Sequence, residues 1–329
     1  MQLFDQKLLS IAREVSFRTG ERLLRQGEAA RGAFLIREGQ VEALLALPGG
    51  GTLAVARLGP GDMFGEMALI ERGVCSASVV ACSEVAAWFI DRGDFRAMVA
   101  SRDAAALQVQ RAVTRVLGHK LRAMNAKVRE HQAAEDLAAA AAVESTRTEA
   151  SFDWRAFLPV LPFFEGFDAR EIGELIDGCS VFELPRGALV FAAGEPAQAC
   201  FLVIRGALEI LSVQQGVATR VALAGPGELV GYLSILEGAS HQANVRTREQ
   251  ACLLELSQAR LLALYNGDSG TAVRLQHAIH RSLLKAMAHT NTQLARLITA
   301  ARLRGARLES EALEAARSSQ IVAIDAQSR

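Results

Sequence analysis

Along the chain, short stretches of alternating apolar and polar residues give way twice to long stretches in which apolar residues recur every three or four positions. Glycine-containing turns separate the short stretches, and this pattern predicts the strands of an antiparallel barrel or jelly roll. The predicted strands lie near residues 14–17, 22–25, 33–37, 40–47, 52–58, 76–81 and 85–90, and again near 181–184, 188–191, 200–204, 208–213, 219–223, 242–247 and 252–256. We therefore predict an α+β fold with two antiparallel β-roll (jelly-roll-like) domains, each followed by a long α-helix.

The two helical stretches, residues 104–134 and 271–303, each carry a narrow apolar stripe, which is typical of a helix–helix seam. The predicted seam residues are Leu117, Leu121, Met124, Val128, Leu283, Met287, Leu294 and Leu297. Two interpretations are open. The first stripe packs against the chain's own second domain, or the stripes pair with another copy. We favour the second interpretation, which predicts a homodimer or higher oligomer.

The two halves of the chain also match each other in sequence. The block that begins Gly225-Pro226-Gly227 follows the block that begins Gly59-Pro60-Gly61 by 166 positions. Several blocks at a nearly constant offset indicate an internal repeat. We predict domain one at residues 1–132, an alanine-rich linker at 133–151, domain two at 152–304 and a helical or disordered tail at 305–329. Asp91 and Asp168 are predicted helix N-caps.

Composition and charge narrow the classes of function. The 329 residues contain 36 Lys and Arg against 36 Asp and Glu, so no overall attraction to nucleic acid or to an anionic membrane is expected. The start of the chain lacks a secretion signal and no apolar run is long enough to insert into a membrane, which predicts a cytoplasmic protein. Five cysteines without a CxxC pair argue against a disulfide framework or a metal site. A high content of Ala, Arg and Leu indicates a bacterial source.

One stretch carries most of the chemistry. Phe64-Gly65-Glu66-Met67-Ala68-Leu69, followed by Ala77-Ser78-Val79, resembles the phosphate-binding cassette of the cyclic nucleotide-binding domain, found in catabolite activator proteins and in the regulatory subunit of protein kinase A. The resemblance implies a ligand site in which the cassette glutamate binds a ribose hydroxyl and an arginine binds the cyclic phosphate. Cys75 stands at the position of that arginine. A thiol offers neither the permanent charge nor the planar donors of a guanidinium.

By this resemblance, the candidate ligand residues of domain one are Phe64, Gly65, Glu66, Met67, Ala68, Arg72, Cys75, Ser76 and Ser78. Glu66 either binds a ribose or faces water or an internal basic residue. Arg72 either reaches a phosphate or is a surface arginine. Cys75 is either a small inert residue or a thiol made reactive by its surroundings. Candidate ligands are cAMP, cGMP or another nucleotide-like molecule.

The equivalent residues of domain two depart further from the family pattern. They are Gly231, Tyr232, Leu233, His241, Gln242 and Asn244, with Tyr232 in place of the glutamate and His241 in place of the arginine. We expect the Tyr232 ring to fill the vacated pocket and domain two not to bind a cyclic nucleotide. His277 and His280 have a spacing that can hold a metal, but without a third ligand we interpret them as a solvated face.

The pattern as a whole favours a non-enzymatic bacterial regulatory or scaffold protein that acts through contacts with a protein partner. No nucleophile elbow, P-loop or metal-ligand cluster indicates an enzyme. One alternative is a nucleotide sensor that controls a partner through domain one. A transcription regulator of the catabolite activator type is less well supported, because such a protein needs a basic helix-turn-helix domain after the long helix.

Overall fold

The structure is a computed structural model, and it describes residues 11–47, 50–70, 74–131, 146–214 and 217–327. Domain one is a β-roll built from two four-stranded antiparallel sheets with the orders β1-β8-β3-β6 and β2-β7-β4-β5. The strands are β1 Ala12–Phe17, β2 Arg22–Leu24, β3 Gly32–Glu38, β4 Val41–Ala46, β5 Thr52–Leu58, β6 Met63–Phe64, β7 Ser78–Ala81 and β8 Val85–Asp91. The helices are α1 Met67–Ile70, α2 Arg92–Ala100 and the long α3 Ala104–His131. The Asp91 side chain accepts a hydrogen bond from the Gly93 N–H at 2.7 Å, which confirms the predicted N-cap.

Domain two repeats this arrangement. Its helical entry contains two 3₁₀ helices, Trp154–Val160 and Pro162–Phe164, and α4 Ala169–Ile176. The strands are β9 Thr148–Glu149, β10 Ser180–Leu184, β11 Leu189–Phe191, β12 Ala199–Arg205, β13 Leu208–Gln214, β14 Val217–Ala224, β15 Leu229–Val230, β16 Asn244–Thr247 and β17 Ala251–Ser257. Helix α5 Tyr232–Glu237 lies between β15 and β16. After β17, the chain continues into α6 Gln258–Asn266 and the long α7 Gly270–Gln327.

The sheets of the two domains correspond strand for strand, as the internal repeat predicts. The sheets of domain two have the orders β15-β12-β17-β10-β9 and β11-β16-β13-β14. Apart from β9, each strand has its counterpart in domain one at the same place in the sheet. The α+β class, with two antiparallel rolls that are each followed by a long helix, is confirmed.

Two predicted boundaries differ from the structure. The last residues of the predicted linker form β9, which pairs with β10 through Phe182 opposite Glu149 and so belongs to the sheet of domain two. The tail predicted to begin at residue 305 is continuous with α7, which runs as one helix to Gln327. Gly305 does not end the helix, because a single glycine costs a helix only about 1 kcal/mol.

Each roll has its own apolar core, formed by alternate residues of the strands. In β4, for example, Val41, Ala43 and Leu45 are buried while the residues between them are more exposed. Phe34 stacks on Phe64 at 4.9 Å between ring centroids, so the strand that leads into the cassette is anchored in this core. The rigid roll therefore fixes the position of the cassette.

The long helices α3 and α7 pack side by side in the same direction. Thr114 contacts His280 at 2.6 Å and lies 166 positions before it. Further along, the Thr290 hydroxyl donates to Asn125 Oδ1 at 3.1 Å across 165 positions. Because both offsets lie within one position of the repeat offset of 166, each helix contacts its own counterpart. Two equivalent helices of one chain thus form a parallel pair with approximate two-fold symmetry.

This pairing corrects our prediction that the apolar stripes join separate copies. The seam residues Leu117, Leu121, Val128, Leu283, Met287 and Leu294 are buried between the domains of one chain, and Met124 and Leu297 pack against the same clusters. A stripe buried within the chain is not free to pair with another copy. The heptad spacing was correctly interpreted as a seam, but it did not identify the partner helix.

The helix pair also holds each helix against the opposite domain. An added Cβ at Gly118 of α3 would lie 2.9 Å from Leu233 Cδ2 of α5, so the Leu233 side chain would have to shift to admit it. Nearby, Arg122 of α3 forms an ion pair with Glu237 of α5 at 2.5 Å. None of the described helices has an apolar stretch of the length required to span a membrane.

Candidate functional site

The cassette of domain one adopts the strand, turn and short helix predicted from the sequence. Gly65 joins β6 to α1 with a φ angle of 72°, a left-handed conformation that favours glycine. A Cβ at this position would lie 2.8 Å from the carbonyl oxygen of Gly32, which leaves no room for a side chain. Phe64 and Ala68 are buried on either side of the turn. The turn thus places Glu66 at the edge of a cavity.

Glu66 already has a partner within the chain. Its side chain is only 3% exposed, and Glu66 Oε1 lies 2.8 Å from Lys120 Nζ of α3. Lys120 also donates to the carbonyl oxygen of Met63 at 3.2 Å. Of the interpretations of Glu66, the structure therefore supports an internal basic partner. The carboxylate that would accept a ribose hydroxyl is neutralised by the long helix.

Cys75 lies at the cavity wall in place of a cationic clamp. Its N–H donates to the Glu28 carbonyl at 2.8 Å and its own carbonyl accepts from the Gly27 N–H at 2.9 Å, so the backbone is fixed by the neighbouring turn. Burial raises the pKa of the Cys75 thiol, with a further contribution from the negative charge of Glu28. At neutral pH the thiol is therefore protonated and uncharged. This finding favours the interpretation of Cys75 as an inert residue.

Most of the other predicted residues of domain one surround the same cavity, which has a volume of about 290 Å³. The cavity is lined by Phe64, Gly65, Glu66, Met67, Ala68, Cys75 and Ser76. The Ser76 hydroxyl contacts Met67 Sδ at 3.5 Å. Ser78 does not line this cavity, and its hydroxyl accepts the Gln26 N–H at 3.0 Å, so its ligand role stays a prediction. Arg72 lies outside the described residues.

Two lysines of α3 close this cavity, and sequence reasoning missed both. Lys127 Nζ donates to the carbonyl oxygen of Val55, on β5, at 2.6 Å, whereas Lys120 contacts the carbonyl oxygen of Met63, on β6. The two lysines interrupt the apolar stripe three positions after Leu117 and Met124. This regular spacing indicates that both lysines lie on the face of α3 that packs against the fold, because residues three and four apart share a helix face.

Domain two presents its cassette residues differently. His241 is stacked on the Phe191 ring with 3.8 Å between ring centroids and an angle of 16°. Burial lowers the pKa of His241, so the imidazole is neutral at pH 7. Asn244 Oδ1 accepts the Ala193 N–H at 2.8 Å and so is directed to a turn, and the ligand role of Asn244 stays a prediction.

The cavity of domain two is large, with a volume of about 1010 Å³. Gly231, Tyr232, Leu233, His241 and Gln242 all line it. Tyr232 is 6% exposed and belongs to the apolar cluster between the helices and the roll. Burial raises the pKa of its hydroxyl. We expected this ring to fill the pocket, but it is held against the core and leaves the cavity open.

The predicted histidine pair belongs to the interface between the long helices. His280 is fully buried, and its Nε2 lies 2.6 Å from Thr114 Oγ1 and 3.1 Å from the Gln110 carbonyl oxygen. Burial lowers the pKa of His280 to about 3 and that of His277 to about 4. Our interpretation of a solvated face was wrong, because His280 is buried against α3. Among the described residues, no group of three or more His, Cys, Asp or Glu is placed to hold a metal.

Comparisons with known proteins agree with this architecture. The family model for the cyclic nucleotide-binding domain matches residues 14–102 and 181–268. A cAMP-dependent protein kinase regulatory subunit from Mycosarcoma maydis is 25% identical over 187 residues, which are 57% of this chain and 27% of that protein. A CRP-like cAMP-activated global transcriptional regulator from Mycobacterium tuberculosis is 30% identical over 111 residues, which are 34% of this chain and 48% of that protein. The chain therefore spans less than half the length of either relative.

Among solved structures, the chain is similar to the regulatory domain of Toxoplasma gondii PKA with cAMP. The match covers 86% of this chain and 88% of that chain, with 20% sequence identity and a TM-score of 0.33.

Proposed function

Because this chain belongs to the cyclic nucleotide-binding domain family and carries that domain twice, we propose that it is a non-enzymatic regulatory protein in which the two rolls act as one unit on a protein partner. The observation that carries this proposal is the ion pair between Glu66 and Lys120. The proposal includes a cytoplasmic location.

In domain one, the ion pair opposes binding of a cyclic nucleotide in the manner that the family resemblance implies. A ribose hydroxyl would have to displace Lys120 from a carboxylate that is 3% exposed. Charge-assisted hydrogen bonds of this kind are about twice as strong as neutral ones. The neutral thiol of Cys75 offers the phosphate no compensating charge. Breaking the pair of Glu66 with Lys120 therefore costs free energy that no interaction of Cys75 with the cyclic phosphate offsets.

In domain two, the cassette provides no charged partner for a cyclic nucleotide. Tyr232 cannot accept as a carboxylate does, and burial lowers the pKa of His241 so that its ring is neutral at pH 7. Its stacking on Phe191 further holds the ring in place. We therefore assign domain two a function that does not depend on the family's cassette chemistry.

The pairing of α3 with α7 supports action as a single unit. Each cavity is lined by both helices: Met287 of α7 reaches the cavity of domain one, and Asn125 of α3 reaches that of domain two. A change in either cavity therefore acts on a helix that the other domain also holds. A partner protein that contacts the helix pair would sense both domains together.

Calorimetry with cAMP and cGMP tests the proposal. We expect no binding to the wild-type chain at ligand concentrations up to about 1 mM, the weak end of ordinary ligand affinities. The variant Cys75→Arg/Lys120→Met restores the clamp and frees Glu66, and we expect it to bind cAMP. The matched control, Cys82→Arg/Lys120→Met, places the new arginine on an exposed cysteine outside the cavity and should not bind. Micromolar binding of cAMP by the wild type would refute the proposal.

A second candidate, a nucleotide sensor through domain one, is favoured by one observation. The cavity of about 290 Å³ persists and has Lys120 and Lys127 in its wall, so an anionic ligand would meet positively charged side chains there. The same calorimetry separates this candidate from the first. A DNA-binding regulator has less support, because in the described part of the chain β17 is followed by α6 and α7 and by no helix-turn-helix.

A further inference from the structure

The large cavity of domain two contains two arginines without partners. Arg129, on α3, has a buried Nε atom that lacks a hydrogen-bond partner. Arg220, on β14, enters the same cavity from the opposite domain. Within the described residues, neither guanidinium forms an ion pair or a hydrogen bond to a side chain or a carbonyl.

The other arginines of this cavity and its lysine do have partners among the described residues. Arg122 pairs with Glu237 at 2.5 Å, and Lys285 pairs with Glu228 at 2.7 Å. Arg281 donates to the carbonyl oxygen of Glu165 at 3.1 Å and to that of Phe163 at 3.3 Å. The absence of partners thus distinguishes Arg129 and Arg220 from their neighbours.

The position of Arg129 is unfavourable without an acceptor, because its Nε atom is buried. A guanidinium stays protonated in proteins, so it cannot relieve burial by losing its charge. A buried donor without an acceptor costs free energy, and more so when it carries a charge. Two like charges directed into one cavity add to this cost. An anion that accepts hydrogen bonds from both would remove it.

The rest of the cavity wall indicates what accompanies the anion. Ile210, Val221, Val230 and Val245 present aliphatic side chains from the roll, and Phe191 adds an aromatic face. The volume of about 1010 Å³ lies at the upper end of the range for small-molecule pockets, about 300 to 1,000 Å³. The wall therefore suits a molecule with an apolar or aromatic body of considerable size.

We infer that the cavity of domain two binds an organic anion, a phosphate or carboxylate carried on an apolar or aromatic body, with Arg129 and Arg220 as its anion clamp. Guanidinium groups bind both anions through paired hydrogen bonds. The clamp lies outside the cassette, and so the loss of the family's arginine at His241 does not affect it. This inference goes beyond the proposed function, which assigns domain two no ligand.

The position of the clamp gives the ligand a regulatory effect. Arg129 belongs to the long helix of domain one, whereas Arg220 belongs to a strand of domain two. A single anion held by both would connect the domains next to the helix pair. Binding would therefore stabilise the docking of α3 on domain two.

Thermal shift and calorimetry on the full chain test this site with two sets of probes. The phosphate set contains inorganic phosphate, 5′-AMP and phenyl phosphate, and the carboxylate set contains benzoate and decanoate. We expect an organic member of at least one set to raise the melting temperature and to bind more tightly than inorganic phosphate. The set that binds identifies the anion. Arg129→Gln and Arg220→Gln should each weaken binding about ten-fold or more, and the double variant should abolish it.

Arg186→Gln is the matched control, since Arg186 is exposed on the turn before β11 and outside the cavity. It should bind as the wild type does. The inference is overturned if no organic probe binds at millimolar concentration, or if the double variant binds as tightly as the wild type. It is also overturned if Lys120→Met, in domain one, removes the binding instead. These outcomes are separate from the cyclic-nucleotide test, which depends on Cys75 and Lys120.

Discussion

Replacing Lys120 with methionine should leave the buried carboxylate of Glu66 in domain one without its cationic partner. Glu66 is 3% exposed, whereas the Lys120 side chain is 28% exposed. Methionine keeps most of the aliphatic length but removes the ammonium group, and so Glu66 loses the partner that lies 2.8 Å from it. The reverse change, Glu66→Gln, leaves Lys120 charged but able to reach water.

The unequal burial of the two groups sets the expected magnitudes. Breaking a buried ion pair costs about 3 to 5 kcal/mol, and we expect the lower end, about 3 kcal/mol, for Lys120→Met because water reaches part of the lysine. Glu66→Gln should cost about 1 kcal/mol, since it leaves no buried charge. The double variant removes both charges and should cost about 1 to 2 kcal/mol. The coupling energy is then about 2 to 3 kcal/mol.

The assay is urea unfolding at pH 7 in a Trp154→Phe background, so that Trp88 alone reports on domain one. The exposed ion pair between Glu14 and Arg37 provides the control, because breaking it with Glu14→Gln, which leaves Arg37 over the Trp88 ring, should cost less than about 1 kcal/mol. The reasoning is refuted if the two single effects add in the double variant. It is equally refuted if Lys120→Met costs no more than the control.

Three further predictions concern buried side chains. Because burial lowers the pKa of His280 to about 3, the unfolded chain binds the proton more readily, and this group should reduce the free energy of unfolding by up to about 1.4 kcal/mol per pH unit as the pH falls from about 6.5 to 4. His280→Gln should flatten that slope in urea titrations, and an unchanged slope would contradict the assignment. Leu283→Ala, at a fully buried position between α3 and α7, should lower the free energy of unfolding by about 3 kcal/mol. Light scattering should give the same mass as for the wild type, and a lower mass would show that the seam joins separate copies. In a time course with iodoacetamide followed by mass spectrometry, exposed Cys82 should react before Cys75, whose pKa burial raises, and the opposite order would show an activated thiol at Cys75.

The fold could be predicted from the sequence because its signals are local or repeated. Glycine turns delimited the strands, and the offset between the two halves identified the duplication before any contact was known. The N-cap at Asp91 is confirmed, as is the one at Asp168, whose side chain accepts the Glu171 N–H at 2.7 Å. These features depend on neighbouring residues, which the sequence displays directly.

The partners across the fold could not be predicted in the same way. An apolar stripe shows that a helix packs, but not whether Leu117 meets a helix of its own chain or of another. The pairing of Lys120 with Glu66 depends on how α3 lies over the cassette. Arg129 and Arg220 are distant in sequence and share a cavity only after both domains have assembled. For such residues, three-dimensional placement decides the role.

The parallel alignment of α3 with its own repeat has a consequence for how this protein can change. In an assembly of two identical subunits, every substitution appears in both binding sites at once. Here the two halves are joined in a single polypeptide, and a substitution such as cysteine at position 75 or histidine at position 241 alters one half alone. Because the two halves share one chain, their sites can change independently. The site of domain one can thus hold Lys120 as an internal partner while the cavity of domain two stays open.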